Sequence, residues 1–257
     1  MTVAGRRVLV TGASKGIGAA CAVALGRAGA HVGVHYNTDA DGAARVVGEV
    51  ERAGGRATTL AANLSVWDEG ERLVAAFGAW SGSDAQGAEI DGVVLNHGIW
   101  KEAAIDAMRG ADYDETMDAN LRGVFSVAGA AARRMKARRS GRMVLIASTA
   151  GQRGEALHAH YAATKGVVIS VTKSFASELA PFGVLVNCVA LGWVRTPMTE
   201  PTLANAGDRA KVFAAIPLGR VGEPEEIAGP VLFLLGDAAT FITGEVLNVN
   251  GGAVLCG

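Results

Sequence analysis

The chain is poor in several things at once. In 257 residues it has three cysteines, six prolines and only 5% aromatic residues. Cys21, Cys188 and Cys256 are too few for a disulfide framework in a chain this long, and none belongs to a paired metal-ligand motif. A dominant charge is missing too: 24 basic side chains are set against 25 acidic ones, for a net charge of -1. That balance excludes a nucleic-acid or membrane-surface protein that works by bulk attraction. No window reaches the roughly 18 to 20 apolar residues of a membrane span. Arg6 and Arg7 precede an apolar run at the start, but VLV is too short for an export signal. A cytoplasmic protein is the expectation.

What the chain has in excess is glycine, 35 residues, roughly twice the usual share. There is no three-residue repeat, so collagen is excluded, and with half the residues hydrophobic a disordered chain is excluded as well. No linker and no internal repeat divides the sequence. One domain over residues 1–257 is expected.

Short apolar runs alternate with helical stretches. Strands are expected at Arg7–Thr11, His31–Tyr36, within GGRATTLAANL, at Ile90–Asn96, and in GRMVLIAST, VLVNCVA and VLNVNGG. Helices are expected at Ala19–Ala28, Ala40–Ala53, Asp68–Trp80, Asp112–Lys136, Tyr161–Ala180 and Glu225–Leu235, with SGSDAQGAE a loop. The strands are continuously apolar, which fits a parallel sheet covered on both faces. The fold class is therefore α/β: a Rossmann-like, doubly wound, seven-stranded parallel sheet with helices on both faces.

The first strand runs into Thr11-Gly12-Ala13-Ser14-Lys15-Gly16-Ile17-Gly18. Glycines there let the backbone turn sharply and let a pyrophosphate reach the N–H groups and positive dipole end of a helix. Dinucleotide binding and a plain helix-opening turn both fit this stretch alone. The second strand ends at Tyr36-Asn37-Thr38, and the first acid is Asp39. A carboxylate at the strand end would bind the ribose hydroxyls of NAD; its absence leaves room for a 2′-phosphate, with Lys15 as counter-charge. NADPH is the expected cofactor. The alternative leaves Lys15 solvated and Tyr36 stacked on adenine.

Tyr161 and Lys165 stand four apart in YAATK, on one helix face. A nearby ammonium favours the phenolate, so a tyrosine tuned this way can exchange a proton with a carbonyl or alcohol oxygen. Ser148 ends a strand, at the edge where open α/β sheets carry their sites, and its hydroxyl can reach the same oxygen. A lone Tyr/Lys pair at this spacing also occurs on ordinary helices.

Taken together, TGASKGIG, Asn96-His97-Gly98, Asn120, Ser148 with Tyr161 and Lys165, and PLGRVGEPEEIAG resemble the short-chain dehydrogenase/reductase family over essentially the whole chain. They look most like its branch of 3-oxoacyl-[acyl-carrier-protein] reductases. The resemblance implies that Tyr161 is the general acid in reduction, that Lys165 lowers its pKa and holds the nicotinamide ribose, that Ser148 polarises the carbonyl, and that Asn120 anchors a proton-relaying water. It implies that Gly12, Ser14, Lys15, Gly16, Ile17 and Gly18 wrap the pyrophosphate; Tyr36, Asn37 and Thr38, at the end of the second strand, are expected at the adenosine ribose. Asn63 and Leu64 would meet adenine, Asn96 and Gly98 the same ribose, and Gly192, Val194 and Thr196 the nicotinamide end. It also implies a homotetramer whose two long helices form one interface.

The chain departs from the family pattern at Leu95, where an asparagine is usual, and at Asn63 and Asn250, where aspartate is common. Leu191 replaces a proline, which implies a looser loop beside the nicotinamide. Arg133, Arg134, Lys136, Arg138, Arg139 and Arg142 form a basic cluster, read as solvated charge at a helix end or as a surface for an acidic carrier protein. His158 and His160 lack the convergent partners of a metal site, and no metal is expected. Trp100 and Trp193 fit either a pocket wall or loop packing. Residues 197–217 have no clean period and look like a substrate lid.

The function expected is NADPH-dependent reduction of a ketone, a 3-oxoacyl thioester or related carbonyl, free or carrier-linked, to a secondary alcohol. The alternatives are an NAD(P)-dependent sugar or alcohol dehydrogenase and, further off, a non-catalytic nucleotide-binding protein. Neither nucleic acid nor a membrane is an expected partner.

Overall fold

A computed structural model describes residues 2–82 and 90–255. Most of the SGSDAQGAE loop, and Cys256, lie outside the described residues. The seven strands are β1 (Arg7–Val10), β2 (His31–Tyr36), β3 (Arg56–Ala61), β4 (Gly92–Leu95), β5 (Gly141–Ser148), β6 (Val184–Leu191) and β7 (Val246–Val249). They form one sheet in the order β3-β2-β1-β4-β5-β6-β7, and every neighbouring pair is parallel. The order reverses between β1 and β4, and a crevice opens there at the carboxyl edge.

Side-chain alternation divides the strands between two cores. Val8, Val10, Val94, Val144, Ile146 and Val189 face α1 (Gly16–Arg27), α2 (Ala40–Arg52) and a late helix over Pro224–Leu235. Leu9, Val93, Leu95, Met143, Leu145 and Cys188 face the other layer. That layer holds α3 (Glu69–Ser81), α4 (Gly110–Met117), α5 (Gly123–Arg138), a short α6 (Thr149–Arg153) and α7 (Ala159–Leu179). With both faces covered, the central strands β1, β4, β5 and β6 are mostly apolar, while the edge strand β3 (RATTLA) is partly exposed. Leu95 belongs to this buried layer and pairs with Leu145, so an apolar side chain fills the place where the family has asparagine.

Several boundaries differ from the sequence expectation. Helix α1 starts three residues before Ala19, because Gly16 and Gly18 sit inside its first turn. The helix expected over Asp112–Lys136 extends from Gly110 to Arg138 but is interrupted by a π-helical turn at Asp118–Arg122 that carries Asn120. Residues 197–217 hold α8 (Glu200–Ala204) and α9 (Ala206–Ala214). These two have a small core of their own, Leu203, Val212, Ile216 and Val221, with Trp193 and Phe213 against it. The last long helix, α10, is the Pro224–Leu235 segment.

The basic cluster is largely engaged within the chain. Arg133 and Arg134 both pair with Glu71, and Arg138 pairs with Asp91, which also takes Arg7 at 2.8 Å. The Lys136 ammonium lies 4.2 Å over the Phe182 ring, and Arg139 donates to the Pro181 carbonyl at 2.7 Å.

Candidate active site

The crevice at the switch point is a cleft of about 360 Å³. Its floor is the glycine turn. Gly12 and Gly16 have φ of 62° and 58°, a left-handed backbone that suits glycine. Lys15 caps α1 without a side-chain hydrogen bond, so the first N–H groups of that 12-residue helix stay open to an anion. Gly18 does not line the cleft. A Cβ there would stand 2.3 Å from the Gly12 carbonyl oxygen, so its bare Cα lets the helix close under the turn.

Two histidines and one asparagine hold the turn in shape. Asn96 donates to the carbonyls of Thr11 and Gly12 at 3.1 and 3.0 Å. His35 accepts the Gly12 N–H at 3.0 Å through Nδ1, leaving Nε2 to donate to the Ala62 carbonyl at 3.1 Å. His97 meets the Thr11 hydroxyl at 2.8 Å. Burial lowers the His35 pKa to about 4 and that of His97 to about 3, so both are neutral near pH 7. In the sequence His97 is one member of the Asn96-His97-Gly98 motif, with no role of its own. His35 reads as one more strand residue, and only a fold that brings β2 beside the turn reveals its role.

At the adenosine end Tyr36, Asn37, Thr38, Asn63 and Leu64 all line the cleft. Asp39 does too, but its carboxylate accepts the Gly42 N–H at 3.0 Å as the cap of α2 and lies 4.0 Å from the Lys15 ammonium. Lys15 is therefore neither unpaired nor fully neutralised, and its side chain is 63% exposed. Asn63 turns its Oδ1 onto the Ser65 N–H at 3.1 Å.

At the other end the chemistry-bearing side chains meet. Ser148 ends β5, and its Oγ accepts the Ala150 N–H at 3.1 Å, which leaves its own proton free to donate. Tyr161 and Lys165 reach the same cleft from α7. Lys165 is buried and donates to the Ile146 carbonyl at 2.8 Å; its ammonium lies 5.8 Å from the Tyr161 ring centre. Burial lowers its pKa to about 8.

The tyrosine corrects one expectation. Burial raises its pKa to about 12; the facing Ser148 hydroxyl lowers it, and the Glu155 carboxylate raises it. Within the protein, desolvation outweighs any help from the lysine, and the hydroxyl is held protonated.

Asn120 sits one layer behind the cleft. Its side chain accepts the Ile99 N–H at 2.7 Å and donates to the Ile99 carbonyl and the Thr164 hydroxyl, each at 3.1 Å. Its amide is thus fully engaged in joining the π-turn to the loop after β4 and to α7. Gly98 is fitted to it, since a Cβ there would be 3.0 Å from the Asn120 Oδ1.

Gly192, Val194 and Thr196 follow β6. A Cβ on Gly192 would come within 2.8 Å of the Asn250 backbone, so glycine lets two chain segments cross. Leu191 is a buried strand residue in register with Ser148 and Val249, and the Gly192 N–H continues the ladder to the Val249 carbonyl at 3.1 Å. Asn250, in place of an aspartate, donates to the Val254 carbonyl and accepts the Gly252 N–H, both at 2.9 Å.

The donor set suits a dinucleotide: open helix N–H groups and an exposed lysine at one end, a partly bonded ammonium at the other. Among the described residues no group of three or more His, Cys, Asp or Glu side chains could hold a metal ion, and no helix is long and apolar enough to cross a membrane.

Known proteins share this fold. A family model described as Enoyl-(Acyl carrier protein) reductase matches residues 12–254. The 3-oxoacyl-[acyl-carrier-protein] reductase of Synechocystis is 40% identical, with 96% of each chain covered. An L-rhamnose 1-dehydrogenase (NAD(P)(+)) of Azotobacter vinelandii is 36% identical, with 98% of each covered. The solved structure of a Burkholderia cenocepacia gluconate 5-dehydrogenase, in complex with NADP and tartrate, has a TM-score of 0.91 at 32% identity, covering 98% of this chain and 96% of that one. The chain belongs to the short-chain dehydrogenase/reductase family. It is an oxidoreductase.

Proposed function

We propose that the protein uses NADPH to reduce a ketone to a secondary alcohol, and that its substrate is a 3-oxoacyl thioester or a related carbonyl compound. One observation carries this reading: Ser148, Tyr161 and Lys165 line a single cleft whose far end is the glycine turn. The bound cofactor supplies the hydride. The rest of the work falls to the chain. Ser148 holds the carbonyl oxygen with the proton that its Ala150 contact leaves free. Tyr161, kept protonated by burial, donates its proton to the same oxygen as negative charge develops there. Lys165 offers its remaining N–H groups to the nicotinamide ribose and replaces electrostatically the proton that Tyr161 gives up.

Gly12, Ser14, Lys15, Gly16 and Ile17 serve the pyrophosphate, with Tyr36, Asn37 and Thr38 at the adenosine ribose. The absence of a strand-end carboxylate, and the capping role of Asp39, support NADPH over NADH. Asn120 acts as a positioning residue. The segment carrying α8 and α9 covers the substrate side, and residues 1–257 work as one domain. A cytoplasmic homotetramer belongs to this reading.

A second reading runs the same residues in reverse, as a sugar or alcohol dehydrogenase, and the Azotobacter and Burkholderia relatives favour it. Purified protein assayed with NADPH and acetoacetyl thioester, then in reverse with NADP and sugar or hydroxy-acid substrates, tests both. Loss of NADPH absorbance with the thioester supports the first; no turnover of any ketone contradicts it.

A further inference from the structure

Beyond Tyr161 the cleft continues into a smaller lobe of about 70 Å³, lined by Trp100, Ser148, Arg153, Glu155, Tyr161 and Trp193 among others. It has room for an arm of a few heavy atoms. One wall is aromatic and fixed. Trp100 lies parallel to His158, with ring centres 4.4 Å apart and an interplanar angle of 6°, and Trp193 meets it edge-on at 5.7 Å. The Trp100 indole N–H is already bonded to the Glu155 carboxylate at 3.2 Å, and His158 Nδ1 to the Ala156 carbonyl at 3.0 Å. This wall shapes the lobe but contributes little hydrogen bonding.

The charges on the lobe are unequal in what they have left to bind. Glu155 is tied to Trp100, which draws its carboxylate to the aromatic side. Arg153 ends α6, five residues after Ser148, and exposes its side chain to the lobe. Among the described residues it has no ion pair. Its planar fork of N–H donors matches a carboxylate.

We propose that Arg153 is a specificity-determining residue that binds a carboxylate on the substrate a few atoms from the reacting carbonyl. This makes small oxo acids, and the matching hydroxy acids, the preferred substrates. The inference rests on the oxidoreductase reading above and, among the related carbonyl compounds it admits, sets oxo acids ahead of the uncharged thioester. Neutral ketones would share the catalytic groups but lack this anchor.

The test compares 4-oxopentanoate and 3-oxobutanoate with their methyl esters, which differ only in charge and one methyl group, using NADPH and the full-length protein. Acetoacetyl thioester is run beside them. Wild type should favour each acid over its ester in kcat/KM by about tenfold, the smaller end expected for a charge-assisted pair at a half-open site. Arg153→Gln should remove that preference through KM, leaving turnover of the esters and NADPH affinity unchanged, and Arg153→Lys should restore part of it. Equal use of acid and ester by wild type, or parallel loss of both in Arg153→Gln, overturns the inference. So does turnover of the thioester and the esters without the acids, which leaves the reductase reading standing. No turnover of any ketone takes down both.

Discussion

The His97 imidazole lies so close to Gly123 that a Cβ on Gly123 would stand 2.5 Å from His97 Nε2. The two residues come from different elements, the loop after β4 and the first position of α5. The same Cβ would be 2.7 Å from the Cβ of Leu64. Gly123→Ala should therefore destabilise the protein by about 1–3 kcal/mol, the usual cost of overpacking a tight site. His97→Ala should relieve part of that cost but not all, because Leu64 still blocks. Denaturant unfolding of the two single variants and the double variant measures the coupling; additive effects would show that the contact carries no energy.

The same imidazoles predict a pH dependence of stability. In the fold, His97 titrates at about 3 and His35 at about 4, against 6.5 in an unfolded chain. Between about pH 6.5 and 4 the unfolded chain takes up protons that the folded one refuses, so stability falls as pH falls. The paired carboxylates Asp112 and Glu226, held near 2 in the fold against 3.8 and 4.5 in an unfolded chain, add to the loss only below about pH 4.5. Tm should drop on going from pH 7 to 4, and His97→Ala should flatten that slope.

Lys165 sets an upper limit on activity. Its pKa, lowered by burial to about 8, means that the charged form disappears above that pH while Tyr161, at about 12, stays protonated. The kcat/KM for NADPH, which reports groups on the free enzyme, should fall above about pH 8 as a single ionisation. Lys165→Arg, if it folds, should move that limb to higher pH. A profile flat to pH 10 would contradict the role.

Cofactor choice can be read at Asn37. A carboxylate there would face a 2′-phosphate and should repel it, so Asn37→Asp should shift the ratio of kcat/KM values toward NADH by about tenfold or more. An unchanged ratio would move the selectivity elsewhere, with Lys15→Ala as the next variant.

Much of this was legible in the sequence because it depends on local pattern. Seven β-branched runs separated by helical stretches give a parallel sheet, and glycine at 12 and 16 fits a left-handed turn that other residues resist. The residues of TGASKGIG, Ser148 and YAATK reach one cleft because strand ends and a helix face carry them there. What depends on long-range contacts was not legible. The π-turn at Asp118–Arg122 follows from Asn120 reaching Ile99 and Thr164, and no local propensity encodes it. The basic cluster reads as free charge until Glu71 and Asp91, far away in sequence, are brought against it. The tyrosine pKa is hidden for the same reason: spacing shows the lysine four residues on but not the burial that raises it.

The central claim is that Tyr161 delivers the proton to the carbonyl oxygen. The direct measurement is steady-state turnover of wild type and Tyr161→Phe with NADPH and a ketone that wild type accepts, with NADPH affinity followed by fluorescence. The variant should lose about 10²-fold to 10⁴-fold in kcat, the range for removing a general acid, while binding NADPH nearly as well. Turnover within a few fold of wild type would contradict the account.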